Sequence, residues 1–443
     1  MKIALVGYGV EGRSAYTYFS KKHPDATFVV YDEAEQPKFE LPSGVELVNG
    51  PQALDSTIDA DIVVRCSPAI NPARVRTTGK MTSGTREFFD ICPASIVGVT
   101  GSKGKGTTAS LVHEILTAAG KKSWLIGNIG KAALDVLDDV QPEDIIVYEL
   151  SSFQLWDLEK SPHIAVVLMI EPEHLDVHSD VDDYVNAKAN IRKYQTVEDV
   201  CFYHPTNLFA QRIAQSGGAA DAETQELWLA QAHRYAIPTD GAVYVKENTF
   251  FIQSDPICNV DALQIPGTHN IENACAAISV AWQFIQDKTA VERGLRAFQG
   301  LPHRLKLVRE LDGVKYYDDS IATTPASAIA ALKSFQEPKV IILGGSDKGA
   351  DFDELASQIP RSDVREVITI GKLGPHIAEL IRGKGFDQVT EVVGGMNAIV
   401  EAAQAASKPG DVVIMSPACA SFDMFKSYSD RGEQFIAAVE KLS

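Results

Sequence analysis

Short, mostly apolar runs alternate along this chain with stretches whose apolar positions recur at helical spacing. Residues 2–6, 27–31 and 61–65 are such runs, and a helix to about residue 22 follows the first. Residues 95–100, 123–126, 145–149, 164–169 and 200–203 repeat the pattern, and so do 315–317, 340–343, 367–370, 391–393 and 411–415. Runs with no internal alternation, separated by helices, predict parallel strands buried on both faces. After residue 104, Leu111 and Ile115 share one stripe and Val112 and Leu116 the next, with Gly120 placed to end that helix. Residues 242–245 and 249–252 read as a small antiparallel hairpin, and residues 270–286 as a long helix. The predicted class is α/β with three domains. A Rossmann-like domain covers 1–93, a central domain of P-loop ATPase type with a mostly parallel sheet covers 94–299, and a second Rossmann-like domain covers 300–443.

Composition narrows the partners. A length of 443 residues exceeds what one core fills, in keeping with several domains. The net charge of −18 excludes nucleic acid and anionic membranes as main partners, because both demand basic surface. No apolar run reaches spanning length, and Met1–Gly7 is too soon broken for a signal peptide. The six cysteines are scattered without a C-x-x-C pair, which predicts reduced thiols, no zinc site and a cytoplasmic setting.

The densest chemistry lies in Gly98-Val-Thr-Gly-Ser-Lys-Gly-Lys-Gly-Thr-Thr108. Strand, glycine loop, lysine, hydroxyl and helix together grip nucleotide phosphates: backbone amides and the helix N-terminus face the anion, Lys105 reaches the β- and γ-phosphates, and a threonine takes Mg²⁺. Gly106 stands where Ser or Thr should follow the lysine, which passes the magnesium role to Thr107. Gly7-x-Gly9-x-x-Gly12 with Asp32 fits a dinucleotide or diphosphate turn. Glu149 closes a buried strand ahead of Ser151, a helix cap candidate. His174 follows another strand, whereas His178 and Lys188 read by themselves as surface residues. Asp319-Ser320, Gly344-Gly345 with Lys348, and Ser416–Ser421 end three further strands and form one crevice rim.

Taken in order over nearly the whole length, these pieces resemble the Mur ligases, ATP-dependent amide-forming enzymes of peptidoglycan precursor synthesis. They are Gly101–Lys105, Gly127-Asn-Ile-Gly130, Glu149–Leu155, Glu173-His174, Lys188, His269-Asn270, Leu301–Arg304, Asp319-Ser320, Lys348 and Ser416–Ser421. The last segments point to the branch that adds D-glutamate to UDP-N-acetylmuramoyl-L-alanine (UDP-MurNAc-L-Ala). The resemblance implies an ATP site of Gly101, Ser102, Lys103, Gly104, Lys105, Gly106, Thr107 and Thr108, with Asn270, Arg304 and Asp319. It makes Lys105, Glu149, His174 and Lys188 catalytic. Two Mg²⁺ fall to Thr107, Glu149, His174 and a carbamylated Lys188. The UDP-substrate falls to Gly7, Gly9, Gly12, Asp32, Ser67, Asn128, Ser151 and Gln154, and D-glutamate to Thr323, Lys348, Ser421 and Tyr428.

The implied reaction runs through an acyl phosphate, with the third domain closing about a hinge at Gly300-Leu-Pro in a monomeric protein. Lys103, Gly106, Met169, Ile321 and Tyr428 depart from the family pattern, and Ile321 removes a cation from the cleft. Three alternatives stay open: a Mur-type or folylpolyglutamate-type ligase with another amino acid or acceptor, a non-catalytic nucleotide-binding regulator, and an NAD-dependent dehydrogenase that would leave the 98–108 loop unexplained.

Overall fold

The alternating runs become four sheets distributed over two units, Met1–Ala262 with Glu272–Leu295, and Leu263–Ile271 with Arg296–Ser443. A computed structural model describes the chain apart from residues 38, 129, 219, 220, 240 and 348. In the first unit, β1 (Lys2–Val6), β2 (Thr27–Asp32), β3 (Glu46–Asn49), β4 (Ile62–Arg65) and β5 (Lys80–Ser83) form a parallel sheet in the order β3-β2-β1-β4-β5. Helix α1 (Val10–Lys22) leaves the turn after β1, and α2 (Gly84–Ile91) leads out of β5.

The second sheet is also wholly parallel. It holds β6 (Ser95–Thr100), β7 (Ser123–Gly127), β8 (Ile145–Glu149), β9 (Ile164–Val167), β10 (Val200–Tyr203) and β11 (Ala232–Arg234), in the order β11-β10-β9-β6-β8-β7. All of β8 and β9 is buried, as unbroken apolar runs in a doubly covered sheet require. Helix α3 (Lys105–Ala118) ends where predicted. Gly120 takes φ +74°, its amide donates to Thr117 O and that of Lys121 to Leu116 O, the Schellman pairing. The short α4 (Ala133–Val136) and α5 (Ser152–Leu155) follow β7 and β8, and α6 (Val181–Lys193) follows β9. One apolar cluster joins both sheets: Phe88 and Phe89 of α2 lie 5.7 and 5.9 Å from the Tyr148 ring, whose hydroxyl is 3.1 Å from Thr85 Oγ1. The antiparallel addition has three strands, β12 (Val243–Lys246), β13 (Thr249–Ile252) and β14 (Asp255–Asn259).

The second unit has its own sheet of β15 (Lys306–Leu311), β16 (Val314–Asp318), β17 (Lys339–Gly344), β18 (Val364–Ile370), β19 (Val389–Glu391) and β20 (Val412–Met415), in the order β15-β16-β20-β17-β18-β19. Only β15 runs antiparallel to its neighbour. Val340 and Ile342 enter one apolar cluster and Ile341 and Leu343 the other, so both faces are covered.

The structure adds strands at 46–49, 80–83, 232–234, 255–259 and 306–311 to those predicted, ends the strand from Ile164 at Val167, moves the strand predicted at 391–393 to Val389–Glu391, and ends the helix Thr268–Ala281 earlier than residue 286.

Candidate active site

The carboxyl end of β6 lies between β8 and β9, so the loop that follows opens among three strand ends, the usual ligand position of a parallel sheet. Gly104 caps α3 at φ +86°, and a Cβ there would sit 2.5 Å from Asn273 Oδ1. No side chain caps α3, which leaves its first amides to an anion. Ser102 pins the loop. Its hydroxyl accepts from Glu171 N at 2.8 Å, donates to Glu171 O at 2.7 Å, and lies 2.8 Å from Tyr184 OH. Lys105 Nζ donates to Gly101 O and Ser102 O at 3.0 and 2.8 Å. Gly106, Thr107 and Thr108 are buried in the first turn, and Thr108 Oγ1 has no hydrogen-bond partner among the described residues. Lys103 pairs with Glu171 at 2.9 Å on the surface.

Lys188 is brought from α6 into this loop. It is 1% exposed and donates to Gly101 O at 3.0 Å and Thr100 Oγ1 at 3.3 Å. Burial, then the Lys105 charge, hold its amine well below the usual lysine range, against the opposing fields of Glu173 and Glu149. The reading of Lys188 as a solvated surface lysine is therefore corrected. Glu149 ends β8 opposite Val99, 6% exposed. Glu173 joins the constellation although its motif suggested only its neighbour. It lies six residues beyond the end of β9, in the loop before α6, and its sequence position alone did not mark it. His174 is exposed at φ +57°, its ring 4.9 Å from Phe153. His178, read from the sequence as a surface residue, is 2% exposed with both ring nitrogens hydrogen-bonded. Its aromatic neighbours lie on other elements, so spacing could not reveal its burial.

The second constellation of this unit surrounds the turn after β1. Asp32 at the end of β2 accepts from Tyr8 N at 2.8 Å and Ala34 N at 3.0 Å, and Ser67 bonds Val6 O from the end of β4 at 2.8 Å. Gly7, Gly9, Gly12, Asp32 and Ser67 thus gather at the carboxyl end of the parallel strands β1, β2 and β4. Ser151 and Gln154 form a capping box on α5, and Gln154 Nε2 donates to Glu11 Oε1 at 3.1 Å. Glu11, not predicted, has its pKa raised to about 7 by burial, with Gln154 and Arg65 opposing. Asn128 is exposed beyond β7.

In the other unit, Asn270 Nδ2 donates to Pro266 O at 2.5 Å near the start of the helix Thr268–Ala281. Asp319 is buried between Leu305 N at 3.2 Å and Ser416 Oγ at 2.7 Å, and burial raises its carboxyl to about 7. Arg304 is exposed, and Thr323 and Ile321 are half-buried. Ser421 is 2% exposed and Tyr428 41%. Arg431 ties the rim together, donating to Ser320 Oγ, Ser320 O and Cys419 O. Lys348 lies outside the described residues.

Among the described residues no three His, Cys, Asp or Glu side chains stand ready to hold a metal. Thr107 in the first turn of α3 and Glu149 at the end of β8 supply hard oxygen donors of the kind that suits Mg²⁺, which binds few carboxylates and completes its shell with phosphate and water. No helix among the described residues is long and apolar enough to cross a membrane.

Residues 99–281 match the Mur ligase middle domain, and 303–419 the glutamate ligase domain of the Mur ligases. The UDP-N-acetylmuramoylalanine–D-glutamate ligase of Symbiobacterium thermophilum is 36% identical, over 100% of this chain and 98% of that protein. Its namesake from Clostridium kluyveri is 35% identical over 100% and 97%. Among solved structures, the fold resembles a ligase named MurF from Acinetobacter baumannii, with TM-score 0.62 and 14% identity over 99% of this chain and 93% of that one. It also resembles the MurF ligase of Thermotoga maritima in complex with ADP, with TM-score 0.56 and 17% identity over 99% and 94%.

Proposed function

The chain belongs to the Mur ligase family, and from that premise we propose that it joins D-glutamate to UDP-MurNAc-L-Ala at the expense of ATP. The observation that carries the reading is Lys188, a buried amine of lowered basicity hydrogen-bonded to the phosphate loop and set in the field of two glutamates. A neutral amine attacks CO₂ and loses a proton, leaving a carbamate where a cation would otherwise stand. Mg²⁺ held by Thr107, Glu149, His174 and the carbamate would neutralise phosphate charge and orient the carboxylate. The loop amides and Lys105 hold the ATP phosphates, aided in the proposal by Asn270, Arg304 and Asp319. The alanyl carboxylate then attacks the γ-phosphorus, and ADP leaves. The amine of D-glutamate, held by Thr323, Lys348, Ser421 and Tyr428, attacks the acyl phosphate. The tetrahedral adduct expels phosphate, and the ammonium proton is lost to give the amide.

The turn at Gly7–Gly12, Asp32 and Ser67 would seat the diphosphate, with Asn128, Ser151 and Gln154 on the muramoyl peptide. We infer a cytoplasmic reaction, since it would draw on ATP and a nucleotide-linked acceptor. One chain supplies every residue of the scheme, so a monomer suffices. The test is phosphate release from ATP with UDP-MurNAc-L-Ala and a panel of amino acids. Release with D-glutamate alone is expected. Release with another amino acid moves the assignment within the family, and release with none turns it to a non-catalytic nucleotide binder, the alternative that Ile321 keeps open.

A further inference from the structure

The loop between β9 and α6 carries Glu173 and His174 but has no regular structure. His178 anchors it. The His178 Nδ1 lies 3.0 Å from Asp183 Oδ2, on the first turn of α6, and Nε2 lies 3.0 Å from Ser152 Oγ, at the start of α5. A carboxylate only accepts, so the neutral ring carries its proton on Nδ1 and Nε2 accepts from the serine hydroxyl. Phe153 stacks on the ring at 5.4 Å with planes 8° apart, Trp156 lies at 4.2 Å, and Tyr184 meets it edge-on at 5.3 Å. Trp156 Nε1 donates to Asp183 Oδ1 at 3.1 Å, and the His178 amide donates to His174 O at 2.9 Å. Serine, histidine and aspartate in this order imitate a nucleophile relay. Ser152 is 2% exposed, however, and no substrate carbonyl reaches its hydroxyl.

We propose that His178 is the positioning residue of the magnesium site. It fastens together the helix bearing Lys188, the turn that follows Glu149 and the loop bearing Glu173 and His174. The inference rests on the reading that Glu149, His174 and Lys188 hold Mg²⁺. Without His178 each donor is still present, but the three segments lose their common anchor, and outer-shell losses of that kind cost roughly 10- to 100-fold in metal affinity.

The test measures Mn²⁺ binding in the presence of ADP by electron paramagnetic resonance, beside the melting temperature and the KM for D-glutamate. His178→Ala is expected to weaken Mn²⁺ binding by roughly 10- to 100-fold, with KM for D-glutamate little changed. His178→Asn keeps a donor near the Nδ1 position and should recover much of the loss, while Asp183→Asn should weaken binding in the same sense. If His178→Ala binds Mn²⁺ as wild type does, the inference fails alone. The same holds if the loss tracks the melting temperature equally in all three variants. A wild type that binds no Mn²⁺ overturns the magnesium reading and the inference with it.

Discussion

Lys188 and Glu11 show how burial sets charge at single residues. Burial lowers the lysine's pKa, so between that value and 10.5 the unfolded chain binds a proton that the folded one does not. Stability is therefore lost as pH falls through that window. In CO₂-free buffer Lys188→Met should melt at a higher temperature than wild type at pH 7, the difference closing above pH 10.5, and it should have no ligase turnover. A variant that melts lower and stays active contradicts both the burial argument and the carbamate. Glu11 has the opposite sign. Its carboxyl is raised from 4.5 to about 7, so the folded chain binds more protons between those values and stability falls as pH rises through them. The cost reaches roughly 3 kcal/mol above pH 7. Glu11→Gln, which can still accept from Gln154, should gain up to that amount at pH 8 and match wild type below pH 4.5 in denaturant melts. Neither residue was legible from its surroundings in sequence. Lys188 sits in an ordinary helical pattern, and the groups that desolvate it come from β6 and the phosphate loop.

At the scale of elements, local signals carried most of the pattern. The Gly120 stop, the strand ahead of the phosphate loop and the three-stranded sheet's first hairpin all follow from residues close in sequence. The strand at 306–311 was missed although Asp312-Gly313 marks its hairpin, both at positive φ as the tight mirror-type turn requires. β3 was missed for a different reason: its apolar pair Leu47-Val48 is too short to announce a strand, and every residue of this edge strand is exposed. Gly12 illustrates an element junction. A Cβ there would lie 2.4 Å from Gly7 O, where α1 crosses the turn after β1. The helix propensity gained by Gly12→Ala, about 1 kcal/mol, should be outweighed by the forced shift of α1, for a net loss on the order of 1–3 kcal/mol. Urea melts of the variant would measure it, and a stabilised variant would mean that the turn yields freely.

For the whole molecule, separate apolar clusters in the two units argue against one all-or-none transition. Calorimetry should resolve two components. Mg²⁺-ADP at a hundred times its Kd should raise the one belonging to Met1–Ala262 with Glu272–Leu295, by about 2.7 kcal/mol of stability, because Lys105 and α3 lie there. Lys105→Ala should abolish that shift, and a single coincident transition would refute the division. The sequence by itself determined the α/β class, the order of most strands and the two glycine turns, since each depends on periodicity or backbone freedom within a few residues. It also carried the family resemblance, which lent Lys188 a role that its own surroundings did not suggest. Only the tertiary structure decided that Lys188 is a buried amine of lowered basicity, that His178 is an interior anchor and that Glu173 belongs with Glu149. Burial and electrostatic fields are set by neighbours that the fold brings from distant parts of the chain, and local patterning does not encode them.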